Sequence, residues 1–268
     1  MACGSRLHEA LTIVAVYGHN DGASALPALI KSAAELPGAR ALLLSPAKPA
    51  GLPRHIAWSE IAPMDYRQYS LFVMYELHRF IATEFALIVQ DDGWVLNGAN
   101  FKDSYYAFDY IGAPCHAGIV GNTFYTGYAW QAFPDAVVIQ NGGFSLRSKK
   151  FLSAPARHAL PFYSGTQKVL QNEDTQLTGT LRPRLEALGI TFAPLTIARN
   201  FAVEYLGPGF HDDLQFDALV GLHGQTRKLI GDHHIRYGLS EAAMDDIYRE
   251  RDVVQFLVRA GYDVEFAV

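Results

Sequence analysis

The apolar run Phe85-Ala86-Leu87-Ile88 stops abruptly on Val89-Gln90-Asp91-Asp92-Gly93. A short apolar run of this kind reads as a strand buried on both faces, as in a parallel sheet. Open α/β sheets bind ligands beyond the carboxyl ends of such strands. Two adjacent carboxylates at that end are costly to bury without a positive partner. A divalent cation carrying a substrate phosphate is a partner of matching chemistry. Asp-Gly is also a common turn pair, so the same residues are compatible with a plain tight turn.

The rest of the first half alternates strand and helix. Leu11–Tyr17 reads as a strand, and Ala23–Glu35 as a helix stopped by Pro37-Gly38. Ala41–Leu44 is a second short strand, closed by Ser45-Pro46. Tyr69–Thr83 carries an apolar helix face through Phe72, Val73, Leu77, Phe80 and Ile81, and Phe85–Gln90 is the next strand. This alternation predicts an α/β fold with a doubly wound, mostly parallel sheet. Further on, Phe108–Pro114 reads as a strand leading into a turn, and residues 116–135 as a long loop. Val137–Ile139 runs into Asn141-Gly142-Gly143. Glu173–Leu188 reads as a helix carrying Pro183, and Ser240–Ala260 as one amphipathic helix ended by Gly261. No repeat or linker divides the chain, so residues 1–268 are expected to form one domain.

Charge and cysteine content narrow the classes. A formal net charge of −5 with no Lys/Arg-rich run argues against a nucleic-acid binder. Cys3 and Cys115 have no metal-ligand spacing and predict no disulfide framework, which fits a reducing compartment. Ala10–Tyr17 is short for a signal-peptide core and is followed by Gly18-His19-Asn20-Asp21 rather than a cleavage site, so a first buried strand is the preferred reading. No apolar run approaches the roughly 20 residues that cross a bilayer. A soluble, cytoplasmic protein is expected, with peripheral membrane contact still compatible. P-loop, His-Glu-x-x-His and Gly-x-Ser-x-Gly motifs are missing from the sequence.

Five further stretches carry candidate chemistry, each with a structural alternative. The paired glycines of Asn141-Gly142-Gly143 allow close backbone approach to a ligand, or a hairpin-like turn before a helix capped by Ser148. Asn172-Glu173-Asp174 offers a carboxylate base at a helix start; the same residues suit an N-cap and first turn. His223, between Gly221-Leu222 and Gly224, offers an imidazole ligand, though a lone His is more often structural. Asp232-His233-His234 is metal-compatible but lies in a polar segment that reads as solvated surface. The aromatic loop Phe124–Phe133, with Tyr125, Tyr128 and Trp130, suits a sugar face or ordinary packing equally.

Taken in order, these segments resemble a bacterial family of glycosyltransferase-like proteins, catalogued as a domain of unknown function and often met near surface-polysaccharide genes. Its members resemble glycosyltransferases of the GT-A fold. The resemblance runs through Val14–Asn20, Glu76-Leu77-His78-Arg79-Phe80, Leu87–Asn97, Asp109–Pro114, Asn141–Ser148, Glu173-Asp174 and Gly221–Gly224. It implies a GT-A-like single domain with a Rossmann-like sheet. A nucleotide-binding half would span about residues 10–115 and an acceptor half about 116–225. A helical tail, about 226–268, lies outside the resemblance.

The same resemblance implies roles. Gln90-Asp91-Asp92 stands where the family of folds has its Asp-x-Asp metal motif, with Gln in the first place. Asp92 is then a metal ligand and His223 completes the shell around Mn²⁺ or Mg²⁺. Tyr17, Gln90, Asp91 and Asp92 would meet a nucleotide-sugar donor. Asn141, Gly142 and Gly143 would form a loop lining the acceptor and donor sugar, and Asp174, with Glu173 next, would be the base that deprotonates a saccharide or glycoconjugate acceptor. An inverting, metal-assisted transfer in surface-glycan synthesis is the expectation. The alternatives are a metal-dependent phosphoesterase or nucleotidyltransferase, for which Asp232-His233-His234 is the candidate second metal cluster, and a non-catalytic nucleotide-sugar binding module, which Gln90 keeps open.

Overall fold

The structure is a computed structural model, and it describes residues 8–121, 123–164 and 171–267; Cys3 lies outside them. The strands in chain order are β1 Leu11–Val16, β2 Arg40–Ser45, β3 Ile56–Glu60, β4 Phe85–Val89, β5 Gly93–Val95, β6 Tyr110–Val120, β7 Thr123–Tyr125 and β8 Val137–Ser148, then β9 Ala202–Val203, β10 Gly221–His223, β11 Arg227–Gly231, β12 His234–Tyr237 and β13 Asp263–Phe266. The α-helices are α1 Leu26–Glu35, α2 Tyr66–Tyr75, α3 Lys149–Arg157, α4 Arg182–Ala187, α5 Leu195–Phe201 and α6 Glu250–Arg259.

The fold is α/β. Its central seven-stranded sheet has the order β3-β2-β1-β4-β8-β6-β7. The first four strands pair in parallel, whereas β8 is antiparallel to both β4 and β6. β6 therefore shares the direction of the first four, and the sheet is mostly parallel. Alternate residues of β1 and β4 feed two cores, as a period of two requires. Leu11, Ile13, Leu87 and Val89 pack under α1, while Val14, Val16, Ala86 and Ile88 pack on the other face with Val73 of α2. Asp65 starts α2 with a reciprocal capping box to Gln68, and Ser148 caps α3 through the Phe151 N–H.

Five segments differ from their sequence-based expectation, the last of them the C-terminal stretch. Residues 116–135 are not one long loop, because β6 continues to Val120 and turns through β7 into a hairpin. Its small and aromatic residues pack against one another, Gly118 lying beneath Trp130. Asn141-Gly142-Gly143 is not a loop either; it lies inside β8. The stretch expected as a helix over Glu173–Leu188 is a π-helix, Thr175–Thr180, followed by α4, where Pro183 takes an early helical position. The expected helix Ser240–Ala260 is broken at Arg249, whose backbone is left-handed (φ 56°) and whose guanidinium binds the carbonyls of His211 and Asp212.

The last forty or so residues are not a helical tail. They form a sheet in which β12 pairs antiparallel with β11 and parallel with β13. Leu229, Ile235, Tyr237, Val253 and Leu257 bury against Trp94 and Ala28, and the Trp94 indole donates to the Tyr262 hydroxyl. This sheet is part of the body of the protein. Among the described residues no helix is long and apolar enough to cross a membrane.

Candidate functional site

The acidic residues after β4 form a tight turn. Gln90 and Gly93 exchange both backbone hydrogen bonds, 2.9 and 3.0 Å, so Asp91 and Asp92 occupy the tip. The turn sends the chain into β5, which pairs antiparallel with β10 so that Gly93 lies opposite His223. The tight-turn reading of these residues is the one observed. Backbone bonds from Gly224 to Asp92 and from Leu229 to Asp91 tie the turn to the C-terminal sheet.

This pairing brings the imidazole of His223 beside Asp92, with Nε2 3.3 Å from Oδ1. Glu204, which follows β9, approaches the other ring nitrogen at 3.6 Å. All three side chains are buried. Burial works against the imidazolium, but the two carboxylates outweigh it and raise the His223 pKa to about 10. Burial likewise opposes ionisation of Asp92 and Glu204, and His223 more than offsets it, so both carboxyls are lowered.

Gln90 completes the group. Its amide nitrogen donates to the Tyr69 hydroxyl at 2.7 Å, which turns Oε1 toward His223 Nε2, 3.4 Å away. Gly143 faces the space between them. A Cβ there would lie 2.3 Å from both Gln90 Oε1 and His223 Nε2, so this position needs glycine for close approach. One carboxylate, one imidazole and one amide oxygen therefore converge on a gap kept open by the backbone. Among the described residues no cage of three or more His, Cys, Asp or Glu side chains is formed.

The second carboxylate pair approaches from the other side of β8. Pairing between β6 and β8 shifts register around Pro114, which has no N–H to give. The Asn141 side chain fills part of the ladder, accepting from Gly143 N and Phe144 N at 2.7 and 3.2 Å. Gly142 N is left to donate to Asp174 Oδ2 at 3.0 Å. Irregular strand pairing beside a functional cleft is a common way to aim a group.

Glu173 and Asp174, although adjacent, have different surroundings. Glu173 Oε1 binds the fully buried Arg147 at 2.6 Å, and its other oxygen accepts from the Asp174 N–H. Among the described residues no Lys or Arg pairs with Asp174. Its oxygens accept from the N–H groups of Thr175 and Gly142, it is half-buried, and it borders open space. Burial, then the negative charges of Glu173 and Glu204, push its pKa up to about 7. It is a carboxyl group poised to take a proton near neutrality.

Two cavities meet at Asp92. The larger, about 480 Å³, is bordered by Asp174, Glu204, His223, Asn141 and Gly143, with Tyr205 and Phe124 offering ring surface. The smaller, about 350 Å³, is bordered by Tyr17, His19, Asp65, Asp91 and Lys228. Tyr66, Tyr69, Gln90 and Asp92 belong to both walls. Of the residues expected to hold donor, metal or acceptor, Tyr17, Gln90, Asp91, Asp92, Asn141, Gly143, Glu173, Asp174 and His223 border one cavity or the other, and Gly142 reaches the larger through its N–H on Asp174. The Asp232-His233-His234 segment, with Asp232 exposed and both histidines half-buried, borders neither of them. Phe124 reaches the larger cavity, whereas Tyr128 and Trp130 are buried against Phe210.

Glu204, Arg147, Tyr69 and Lys228 were not expected from the sequence. Glu204 had a legible signal, since it ends the apolar run Phe201-Ala202-Val203 much as Asp91 and Asp92 follow Phe85–Val89. Arg147 and Lys228 carried none, because single basic residues in strands read as solvent-facing.

The family described as "Protein of unknown function (DUF5672)" matches residues 62–221, more than half of the chain. No curated protein matches. Among solved structures, the bifunctional IspDF of Campylobacter jejuni is similar at 10% identity, with a TM-score of 0.35 over 68% of this chain and 48% of that one. The chain thus spans about half the length of that protein.

Proposed function

The chain belongs to the DUF5672 family, and we propose that it is a GT-A-type glycosyltransferase that moves a sugar from a nucleotide-sugar donor to a hydroxyl of a saccharide or glycoconjugate acceptor. The observation that carries this reading is the pair of cavities sharing the wall formed by Gln90 and Asp92 at the carboxyl end of β4. Two compartments that share one wall suit a reaction between two substrates. The smaller, beside Tyr17 at the end of β1, suits a nucleotide, since ligands of such sheets bind beyond the strand ends. The larger suits an acceptor, with ring faces and one near-neutral carboxyl at its wall.

The chemistry follows from the residues. The acceptor oxygen attacks the anomeric carbon, the bond from that carbon to the diphosphate oxygen breaks, and the hydroxyl proton passes to Asp174. Asp174 is held by two backbone N–H groups and needs no rearrangement to receive it. Glu173 is committed to Arg147 and serves to fix its neighbour's backbone rather than to take the proton. One base on one face fits inversion at the sugar carbon.

The donor set fits a divalent cation. Asp92 Oδ1 has no hydrogen-bond partner among the described residues, and Gly143 leaves room beside His223 Nε2. Asp92, His223 and Gln90 would hold Mn²⁺ or Mg²⁺, with Glu204 orienting the imidazole from behind. When bound, such an ion stabilises the departing diphosphate as a Lewis acid. A two-metal phosphoesterase would need a second acidic cluster nearby, and Asp232-His233-His234 lies on the surface away from both cavities.

The test is transfer itself. Purified protein is incubated with nucleotide sugars and saccharide acceptors, and both released nucleoside diphosphate and extended acceptor are measured by mass spectrometry. Asp174→Asn is expected to lower transfer about 10²–10⁴-fold while nucleotide binding persists. Loss of nucleotide binding in that variant would remove Asp174 from the role of base. Phosphate release without sugar transfer would overturn the reading.

A further inference from the structure

The smaller cavity is short of positive charge for a nucleotide. Its wall carries the carboxylates of Asp65, Asp91 and Asp92, and among the described residues Lys228 is its only Lys or Arg. A diphosphate entering three carboxylates meets like charge at close range, and desolvation strengthens that repulsion. A single divalent ion at Asp92 would balance the two negative charges of a nucleotide sugar's diphosphate but not the three carboxylates around it.

Lys228 is aimed by its strand. β11 alternates inward and outward, with Arg227 and Leu229 buried and Lys228 exposed between them. Arg227 is locked on the inner face by Glu250, Nε to Oε1 3.0 Å, and by the carbonyl of Glu204 at 2.7 Å. Since successive side chains point to opposite faces, anchoring Arg227 puts Lys228 on the other face, over the cavity. The bond from Leu229 N to the Asp91 carbonyl, 2.8 Å, fixes β11 against the acidic turn. Lys228 Nζ lies 2.9 Å from Asp91 Oδ2 with its side chain half-exposed, so the ammonium is parked at the cavity wall on one partner and keeps donors to spare.

We propose that Lys228 is the protein's own phosphate-binding cation for the nucleotide donor, carried by the C-terminal sheet to the smaller cavity. This rests on the donor reading of that cavity. The ammonium exchanges part of its contact with Asp91 for a diphosphate oxygen, and the sheet formed by β11, β12 and β13 becomes one wall of the donor site. That sheet lies beyond residue 221, where the family match ends.

The test is isothermal titration calorimetry of UDP, GDP, ADP and CDP, each with Mn²⁺, followed by the uncharged nucleoside of whichever base binds. Lys228→Met is expected to weaken the diphosphate about tenfold or more, the worth of one charge-assisted hydrogen bond. The nucleoside should bind Lys228→Met as it binds wild type. Lys228→Arg should recover most of the diphosphate affinity, which an effect on folding would not predict. Equal diphosphate affinity in wild type and Lys228→Met would overturn the proposal and leave the donor reading standing. Equal weakening of diphosphate and nucleoside would also overturn it, since the effect would then be one of cavity shape. Failure of wild type to bind any of the four would overturn the donor reading and this proposal together.

Discussion

The His223–Asp92 and His233–Asp232 pairs each bring a carboxylate beside an imidazole, and they differ in everything except residue type. His223 and Asp92 stand 3.3 Å apart with side chains 6% and 12% exposed, and are brought together by the pairing of β5 with β10. His233 and Asp232 are neighbours in sequence, closer at 2.9 Å, and 42% and 90% exposed. Distance therefore ranks the two pairs the wrong way round. Water and salt screen the exposed pair, and such contacts contribute about 0–1 kcal/mol. The buried pair cannot exchange its partner for water, so each charge there is committed to its neighbour or to a ligand. Burial at a strand end makes the first cluster a candidate centre and leaves the second a solvated turn.

The sharpest way to break that contrast is at Arg147, which holds the buried charge of Glu173. Arg147→Met leaves a carboxylate buried without a cation and is expected to cost about 3–5 kcal/mol of stability. For a chain of this length that is a fall in melting temperature of roughly 10 °C, checked by thermal denaturation followed by circular dichroism. Restoring an apolar partner with Glu173→Leu in the same chain should recover much of the loss, because the uncompensated charge is then gone. A single variant as stable as wild type would show that the buried pair is not committed as described.

Acidity sharpens the contrast next. Asp174 must be ionised to accept a proton, and its pKa is raised to about 7 by burial and by Glu173 and Glu204. Transfer under conditions limited by the base should thus rise about tenfold per pH unit below 7 and level off above it. The profile of kcat/KM between pH 5 and 9 checks this. A flat profile across pH 7 would remove Asp174 from the rate-limiting proton transfer. At the Asp232–His233 pair the smallest effect is expected: Asp232→Ala should change stability by no more than about 0.5 kcal/mol and leave nucleotide binding unchanged by calorimetry.

The parts of this arrangement that could be read from the sequence are those set by local pattern. β1, β2 and β4 were legible because a strand buried on both faces is apolar throughout, and the acidic turn because it interrupts such a run. The position of Asp174 at the start of a helical segment was legible, although its π-helical form was not. What was hidden depends on partners distant in sequence. β8 carries Asn141-Gly142-Gly143 as strand because β6 and β4 flank it, and two glycines in isolation suggest a turn. β11 begins with a buried arginine whose counter-charge, Glu250, lies on α6, so its alternation looks inverted to a reader of the sequence. Glu204 joins the site only because β9 lies beside β10. Gly143 shows the same limit: its need for glycine comes from Gln90 and His223, neither of them near it in the chain.

The central claim is that the junction at Asp92 binds a nucleotide through a divalent cation. Calorimetric titration of UDP, GDP, ADP and CDP with Mn²⁺ and with chelator, on wild type and on Asp92→Ala, tests it most directly. The account predicts that one nucleotide binds wild type in the presence of the metal, and that chelator or Asp92→Ala removes the binding. Binding unaffected by either change would contradict the role given to Asp92, and no binding to wild type under any condition would contradict the donor site itself.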